Sequence, residues 1–229
     1  LVAEWAALSD AERAALEGTV GLDAAHADYM IENAIGVFGL PLGIATNFLI
    51  NGRDYLVPMA TEEPSVVAAC SYAAKLIRAG GGFQAGSDEP VMIGQLQVLD
   101  IPDAQAAAAR ILAQRERLLA AANNPTSSIV RLGGGARDVV VRPFSGTPLG
   151  EMVIVHLLYD VRDAMGANAI NTACEQIAPL VAAISGGRVH LRILSNLCDQ
   201  RKAWATCRVL AAELATQTLD GIQVARAIV

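Results

Sequence analysis

Hydrophobic and polar positions along the chain change period several times, and each change predicts an element. Ser9-Asp10-Ala11-Glu12 has the Ser-x-x-Glu spacing of a capping box, which predicts a short helix from about Asp10 to Glu17. A second helical stripe starts near Asp23 and places Ala24, Ala27, Met30 and Ile31 on one face. Two strand-like runs, Ile44 to Ile50 and Arg53 to Met59, flank Asn51-Gly52. Asn-Gly predicts a hairpin there, because a type I′ turn needs positive φ at both central residues. An apolar helix follows from about Pro64 to Ala79, with Pro64 in its first turn and Gly80-Gly81-Gly82 as its stop.

From Val91 the organisation changes. A strand is predicted over Val91 to Leu99, a helix over Asp103 to Ala122, strands over Asp138 to Arg142 and Glu151 to Asp160, a helix over Ala164 to Ile184, and a strand over Arg188 to Leu194. This β-α-β-β-α-β order is that of a ferredoxin-like split unit, in which two helices cover one face of a four-stranded sheet. The expected class is therefore α+β, with residues 88–194 as a small inserted domain. Residues 1–87 and 195–229 are then parts of a split larger α/β domain. A strand near Ala203 to Leu210 and a helical start near Leu219 follow Ser195-Asn196. The chain opens on Leu1 and closes on Ile228-Val229 with no capping residue, so the expectation is a fragment of a longer chain.

Composition narrows the class. Of 229 residues, 53% are hydrophobic and only 4% aromatic, so Ala, Val, Ile and Leu must do most of the packing, as suits close helix-on-sheet layers. Seventeen basic against 23 acidic residues give a net charge of -6, and no Lys/Arg stripe stands out, which argues against a nucleic-acid partner. No apolar run approaches the ~20 residues of a bilayer span, and no signal-peptide pattern opens the chain, so a cytoplasmic protein without a membrane partner is expected. Cys70, Cys174, Cys198 and Cys207 form no C-x-x-C pair, which argues against a zinc site or a disulfide framework. Cys70 and Cys174 read as small buried thiols, and the isolated His26, His156 and His190 as packed or surface residues.

Three stretches could carry chemistry. Met59-Ala60-Thr61-Glu62-Glu63-Pro64-Ser65 puts paired carboxylates at a strand end before a helix, where a site or simply a helix start would be found. Gly133-Gly134-Gly135-Ala136-Arg137-Asp138 reads as a flexible turn into a strand. Asp163-Ala164-Met165-Gly166-Ala167-Asn168 sits where a strand gives way to a helix, so backbone N–H groups could meet a pyrophosphate while an acid binds a ribose hydroxyl. It lacks the G-x-G-x-x-G fingerprint.

Together these stretches resemble hydroxymethylglutaryl-coenzyme A reductase, in its class II bacterial form. Glu32-Asn33-Ala34-Ile35-Gly36 is similar to the family's E-N-x-I-G motif, Met59 to Ser65 to its catalytic-glutamate segment, and Asp163 to Asn168 to its D-A-M-G-x-N cofactor motif. Leu191-Arg192-Ile193-Leu194-Ser195-Asn196-Leu197 is a further match. The resemblance implies conversion of hydroxymethylglutaryl-CoA to mevalonate and CoA, or the reverse, by two hydride transfers with NAD or NADP. It implies Glu63 as a protonated donor to the reacting carbonyl oxygen, and Ser65 and Asn196 as substrate contacts. Asp163, Met165, Gly166 and Asn168 would hold the cofactor, and the active sites would lie at the interface of a homodimer or higher oligomer.

The family also uses a lysine, an aspartate and a histidine in motifs expected downstream of Val229. The lysines present, Lys75 and Lys202, do not stand in such a motif, and Lys202 is not promoted to that role by falling just beyond Asn196. The chain alone is therefore expected to be inactive. Two other readings remain open: a dinucleotide- or CoA-binding module without turnover, and a subunit of an obligate oligomer. The choice between NAD and NADP also stays open, since the loop Asn123-Asn124-Pro125-Thr126-Ser127-Ser128 offers neither an acid for a 2′-hydroxyl nor a cation for a 2′-phosphate.

Overall fold

The computed structural model describes residues 2–18 and 21–228; the terminal Leu1 and Val229 lie outside the described residues, as do Thr19 and Val20. The fold is mixed α+β, and its strands divide between two four-stranded sheets. By the density of its internal packing the chain forms two units, residues 1–83 with 207–229, and residues 84–206.

In the first unit, helices α1 (Val2–Trp5), α2 (Asp10–Leu16) and α3 (Ala24–Met30) precede the hairpin β1 (Leu42–Ile50) and β2 (Arg53–Ala60). The capping box forms as expected: Glu12 N donates to Ser9 Oγ at 3.3 Å, and Ser9 N donates to Glu12 Oε2 at 2.7 Å. The hairpin turns on Asn51 and Gly52, with φ of 51° and 78°, the two positive values a type I′ turn requires. A bulge interrupts the register between Ala45 and Phe48. There Asn47 is left-handed and its Nδ2 donates to the carbonyl of Ser71 on α4 (Val66–Ala79), at 3.0 Å. Gly43 lies against Val67, leaving room for α4 to pack closely on β1. The expected position of Pro64 is corrected: α4 begins at Val66 and is capped by Ser65 in a left-handed conformation, so Pro64 belongs to the preceding turn. A 3₁₀ turn at Ala211–Leu214 and α9 (Gly221–Ile228) complete this unit.

In the chain order of the second unit come β3 (Phe83–Ser87), β4 (Val91–Leu99), α5 (Ala104–Ala113), α6 (Arg115–Ala122) and α7 (Ser128–Arg131). They are followed by β5 (Gly135–Thr147), β6 (Gly150–Asp160), α8 (Ala167–Ser185), β7 (Arg188–Leu194) and β8 (Ala203–Cys207). Strands β4 to β7 form one antiparallel sheet in the order β5-β6-β4-β7. Leu96, Val98, Val153, Val155, Leu157 and Tyr159 point from its centre into a continuous core shared with Ile111, Leu118, Ile170, Ile177 and Val181 of the helices. Gly94 permits the closest approach, since a Cβ there would lie 2.5 Å from Cys174 Sγ and 2.7 Å from Ile170.

Several expected boundaries are corrected. The helix expected over Asp103 to Ala122 is two, α5 and α6, broken at Gln114, whose N–H bonds back to Ile111. Strand β5 runs well beyond Arg142 through Pro143, which an edge strand tolerates because its missing N–H breaks no inner ladder. Helix α8 begins at Ala167 rather than Ala164, because Val161 to Ala164 form a turn and Met165 and Gly166 lie between it and the helix. The last strand ends at Cys207 rather than near Leu210. Strand β3 is an addition: its Gly86 is covered by the Trp204 ring of its neighbour β8. Among the described residues no helix is long and apolar enough to cross a membrane, and no group of three or more His, Cys, Asp or Glu could hold a metal ion.

Candidate functional site

In the first unit, β2 delivers the turn Thr61 to Ser65 into α4. Thr61 N donates to the carbonyl of Pro41 at 3.1 Å, tying the turn to the start of the hairpin. Its hydroxyl accepts from Glu63 N at 3.2 Å, which orients the backbone that carries the glutamate. Glu62, Glu63 and Ser65 are all exposed. Ser65 is left-handed, with φ of 66°, and its side chain makes no cap hydrogen bond to α4. Holding a non-glycine residue there costs about 1–2 kcal/mol, and such strain gathers at ligand-binding positions. Glu32 to Gly36 form a stretch after α3 that is exposed except for the half-buried Ala34, with Asn33 also left-handed at φ 56°.

In the second unit, Asp160 ends β6 and the stretch Asp163 to Asn168 follows at once. Asp160 is 2% exposed and accepts from Arg137 Nη2 at 2.7 Å and from Arg162 N at 3.0 Å. Burial alone would raise its carboxyl, but the Arg137 hydrogen bond, the Arg162 N–H and both guanidinium charges together hold it below the usual carboxylate range. Gly166 caps α8 with φ of 93°, and a Cβ there would lie 2.5 Å from Val161 Cγ1. The chain therefore passes tightly over the strand end before the helix starts.

Around this turn the expected cofactor residues separate. Asn168, in the first turn of α8, lines a cavity of about 270 Å³ with Asn124, Thr126, Ser127, Ser128 and Gln176, all neutral and polar. Asp163 lines another, of about 440 Å³, with Asp88, Arg162, Arg201 and Lys202. Met165 is exposed between them in sequence. Lys202 belongs to a structural pair: its N–H meets Asp88 Oδ2 at 3.2 Å, and Asp88 N donates to the Lys202 carbonyl at 2.8 Å. Arg201, which sequence reasoning passed over, reaches the same turn, with Nη2 3.5 Å from the Ala164 carbonyl and Nη1 3.2 Å from Met92 Sδ. Its only signal in the sequence is a cation five positions after Asn196. Asn196 is exposed just after β7, where Ser195 N donates to the carbonyl of Ile93 at 2.7 Å. Glu63 and Ser65 belong to the first unit, and Asn196 and Asp163 to Asn168 to the second.

The triple glycine proves structural, but packed rather than flexible. A Cβ on Gly134 would lie 2.7 Å from the Asp160 carbonyl, and one on Gly135 2.2 Å from Asn123 Oδ1. The Asn123 amide clamps Ala136, accepting its N–H at 2.7 Å and donating to its carbonyl at 3.0 Å. Cys174 is buried on the sheet-facing side of α8, as its apolar surroundings suggested, while Cys70 is only half-buried. His156 is buried in β6, whereas His26 and His190 are exposed.

The fold and these two strand-to-helix turns define a two-unit α+β protein with candidate ligand-binding turns in each unit. Residues 2–229 match the family model described as hydroxymethylglutaryl-coenzyme A reductase, and the chain belongs to that family. It is 53% identical to the 3-hydroxy-3-methylglutaryl-coenzyme A reductase of Archaeoglobus fulgidus over 89% of its own length and 46% of that protein's. It is 33% identical to the probable reductase of Borreliella burgdorferi over 73% of its length and 37% of that protein's. The class II reductase of Streptococcus pneumoniae, described as bound to NADPH in open conformations, superposes with a TM-score of 0.91 at 37% identity, covering 99% of this chain and 54% of that one. The chain thus spans about half the length of the relatives it matches.

Proposed function

We propose that the protein to which this chain belongs interconverts hydroxymethylglutaryl-CoA with mevalonate and CoA, consuming or forming two reduced nicotinamide cofactors. The observation that carries this is the family match over residues 2–229, which includes all four motifs in order. In this reading residues 88–194, within the second unit, are the ferredoxin-like cofactor domain, and residues 1–87 and 195–229 are the split large domain. The strand order β5-β6-β4-β7 with both long helical segments on one face supports it. NADPH is bound by the pneumococcal relative, and either NAD or NADP is the cofactor here.

The turn between β6 and α8 suits such a ligand: Gly166 lets the chain lie closely on Val161 at the strand end, and the side chain of Asp163 is exposed nearby. Asp163, Met165, Gly166 and Asn168 would hold the cofactor. When bound, the nicotinamide supplies or accepts hydride at the acyl carbon.

The chain's own residues handle substrate and protons. Each reduction places negative charge on a carbonyl oxygen, which Glu63, protonated, neutralises by donating its proton. Glu63 is exposed in the first unit, so this role requires that bound substrate or surrounding protein withdraw it from water; desolvation favours the neutral acid. Ser65, whose hydroxyl makes no cap bond, and Asn196 bind the hydroxymethylglutaryl group. The departing CoA thiolate needs a separate acid, and the oxyanion needs a cation. No motif in this chain matches the family's lysine, aspartate or histidine, so the chain alone is catalytically silent. The working form is a cytoplasmic homodimer or higher oligomer.

Two measurements test the reading. The 229-residue chain should bind NADH or NADPH, seen as a fluorescence change that Asp163→Ala removes, yet show no mevalonate- and CoA-dependent reduction of NAD or NADP. Turnover by the chain alone would overturn its silence, and absence of cofactor binding would overturn the role of the second unit.

A further inference from the structure

We infer that Asp160 is the positioning residue of the turn that carries Asp163 and Gly166: its buried carboxylate holds Arg162 left-handed and so sets the direction in which the chain leaves β6. The inference rests on the proposed cofactor role of that turn for its functional consequence, and on geometry for its structural one.

The geometry begins with a conflict. Arg162 has φ of 52°, a region that L-residues other than glycine occupy only under constraint, and it is not a residue that readily tolerates it. The contacts around it supply the constraint. Arg162 N donates to Asp160 Oδ1 at 3.0 Å, closing a small ring in which the carboxylate grips the backbone two residues on. The other oxygen, Oδ2, takes Arg137 Nη2 at 2.7 Å and stands 3.5 Å from Arg162 Nη2. Both guanidiniums also donate to the carbonyl of Gly133, Arg137 at 2.8 Å and Arg162 in a shorter contact. One buried carboxylate and one carbonyl thus fix both the backbone and the side chain of Arg162.

Backbone bonds before and across Arg162 hold the same turn. Val161 N donates to the carbonyl of Pro90 at 3.0 Å, and Ala164 N donates to the carbonyl of Val161 at 3.1 Å. Gly166 then packs directly on Val161. Within this held turn, the left-handed φ of Arg162 helps to set the direction of Asp163. If Arg162 relaxes to negative φ, the side chain of Asp163 is re-aimed away from the cavity it lines with Arg201 and Asp88. Asp160 touches no ligand in this account; it acts through Arg162.

The test uses the 229-residue chain and four forms of it: wild type, Asp160→Asn, Asp160→Ala, and Asp160→Ala combined with Arg162→Gly. Asp160→Asn keeps an oxygen for the Arg162 N–H and is the milder change; it also guards against a variant that fails to fold. Asp160→Ala should weaken NADH or NADPH binding roughly ten- to a hundred-fold, by analogy with the loss when residues that orient metal ligands are removed. Adding Arg162→Gly removes a second side chain from the hub, yet should recover part of that loss, because glycine takes positive φ without help. A residue that merely supported the fold would not be rescued this way.

Hydrogen exchange supplies a readout that does not depend on the cofactor. Asp160→Ala should accelerate exchange at residues 162–166 and leave the central strands β4 and β6 protected, with the double variant slower than Asp160→Ala at those positions. Unchanged exchange at the turn, equal loss of protection through β4 and β6, or no rescue by glycine would overturn the inference. If exchange behaves as expected while wild type binds neither cofactor, the proposed cofactor role fails and the positioning stands.

Discussion

Replacing Gly166 by alanine separates two costs that a left-handed glycine conceals, and α8 offers its own control. Gly166 precedes the helix with φ of 93°, and Gly186 ends it with φ of 74°. Alanine at either position pays the left-handed penalty, about 1–2 kcal/mol. At Gly186 nothing lies within 4 Å of an added Cβ, so that penalty is the whole effect. At Gly166 the added atom would lie 2.5 Å from Val161 Cγ1, 2.8 Å from Val161 Cβ and 3.2 Å from Met92 Sδ. Val161 is fully buried and cannot swing aside, so the overlap adds roughly 1–3 kcal/mol, the usual cost of overpacking. Gly166→Ala should therefore cost about 2–5 kcal/mol in all, against about 1–2 for Gly186→Ala. A chain of two units need not unfold in one step, so the assay is hydrogen exchange of the slowest amides in β4 and β6, which reports the opening free energy of the second unit itself. If Gly166→Ala lowers that free energy no more than Gly186→Ala, the close packing of the turn on Val161 is refuted.

Three further outcomes follow from single groups. Because Asp160 is held below the usual range when folded, its contribution to stability is complete above the unfolded value of ~3.9 and is lost as pH falls through the folded one; urea unfolding between pH 6 and 2 should fall less steeply in Asp160→Asn than in wild type. Burial pushes the Cys174 thiol up to about 12, with Glu175 adding to it, so a thiol reagent at pH 8 should modify the exposed Cys198 and Cys207 quickly and Cys174 only on unfolding. Asn123→Ala removes both hydrogen bonds to Ala136 and leaves a buried N–H and carbonyl without that partner, which should cost about 1–3 kcal/mol in the same hydrogen-exchange measurement.

What was legible in the sequence was written in local signals. Ser9 and Glu12 announce their helix because the two side chains complete each other's backbone bonds, and Asn51-Gly52 announces a turn because few residues accept two positive φ values in succession. Signals that depend on a distant partner were not legible. Strand β3 contains Gly86, which reads as loop until the ring of Trp204 is laid over it. The break at Gln114 hides because Ile111, Leu118, Leu119 and Ala122 keep helical spacing across it, so periodicity runs on while the backbone does not. Arg201 is a charge in a run of polar residues until the fold carries it to Ala164 and Met92.

The candidate site was legible as motifs but not as geometry, and the reason lies in backbone rather than side chains. Two of the motifs, Met59 to Ser65 and Asp163 to Asn168, sit where a strand hands over to a long helix, β2 to α4 and β6 to α8, and each junction is turned by a left-handed residue, Ser65 or Gly166. Helices usually begin on a residue in extended conformation whose side chain takes up an amide of the first turn. Neither Ser65 nor Gly166 does so. At Ser65 the hydroxyl is therefore not committed to its own helix, and at Gly166 the absence of a Cβ lets the chain lie directly on Val161. The same turn explains why neighbours in sequence part company: Asp163 lies before the left-handed residue and Asn168 after it, so the two line different cavities.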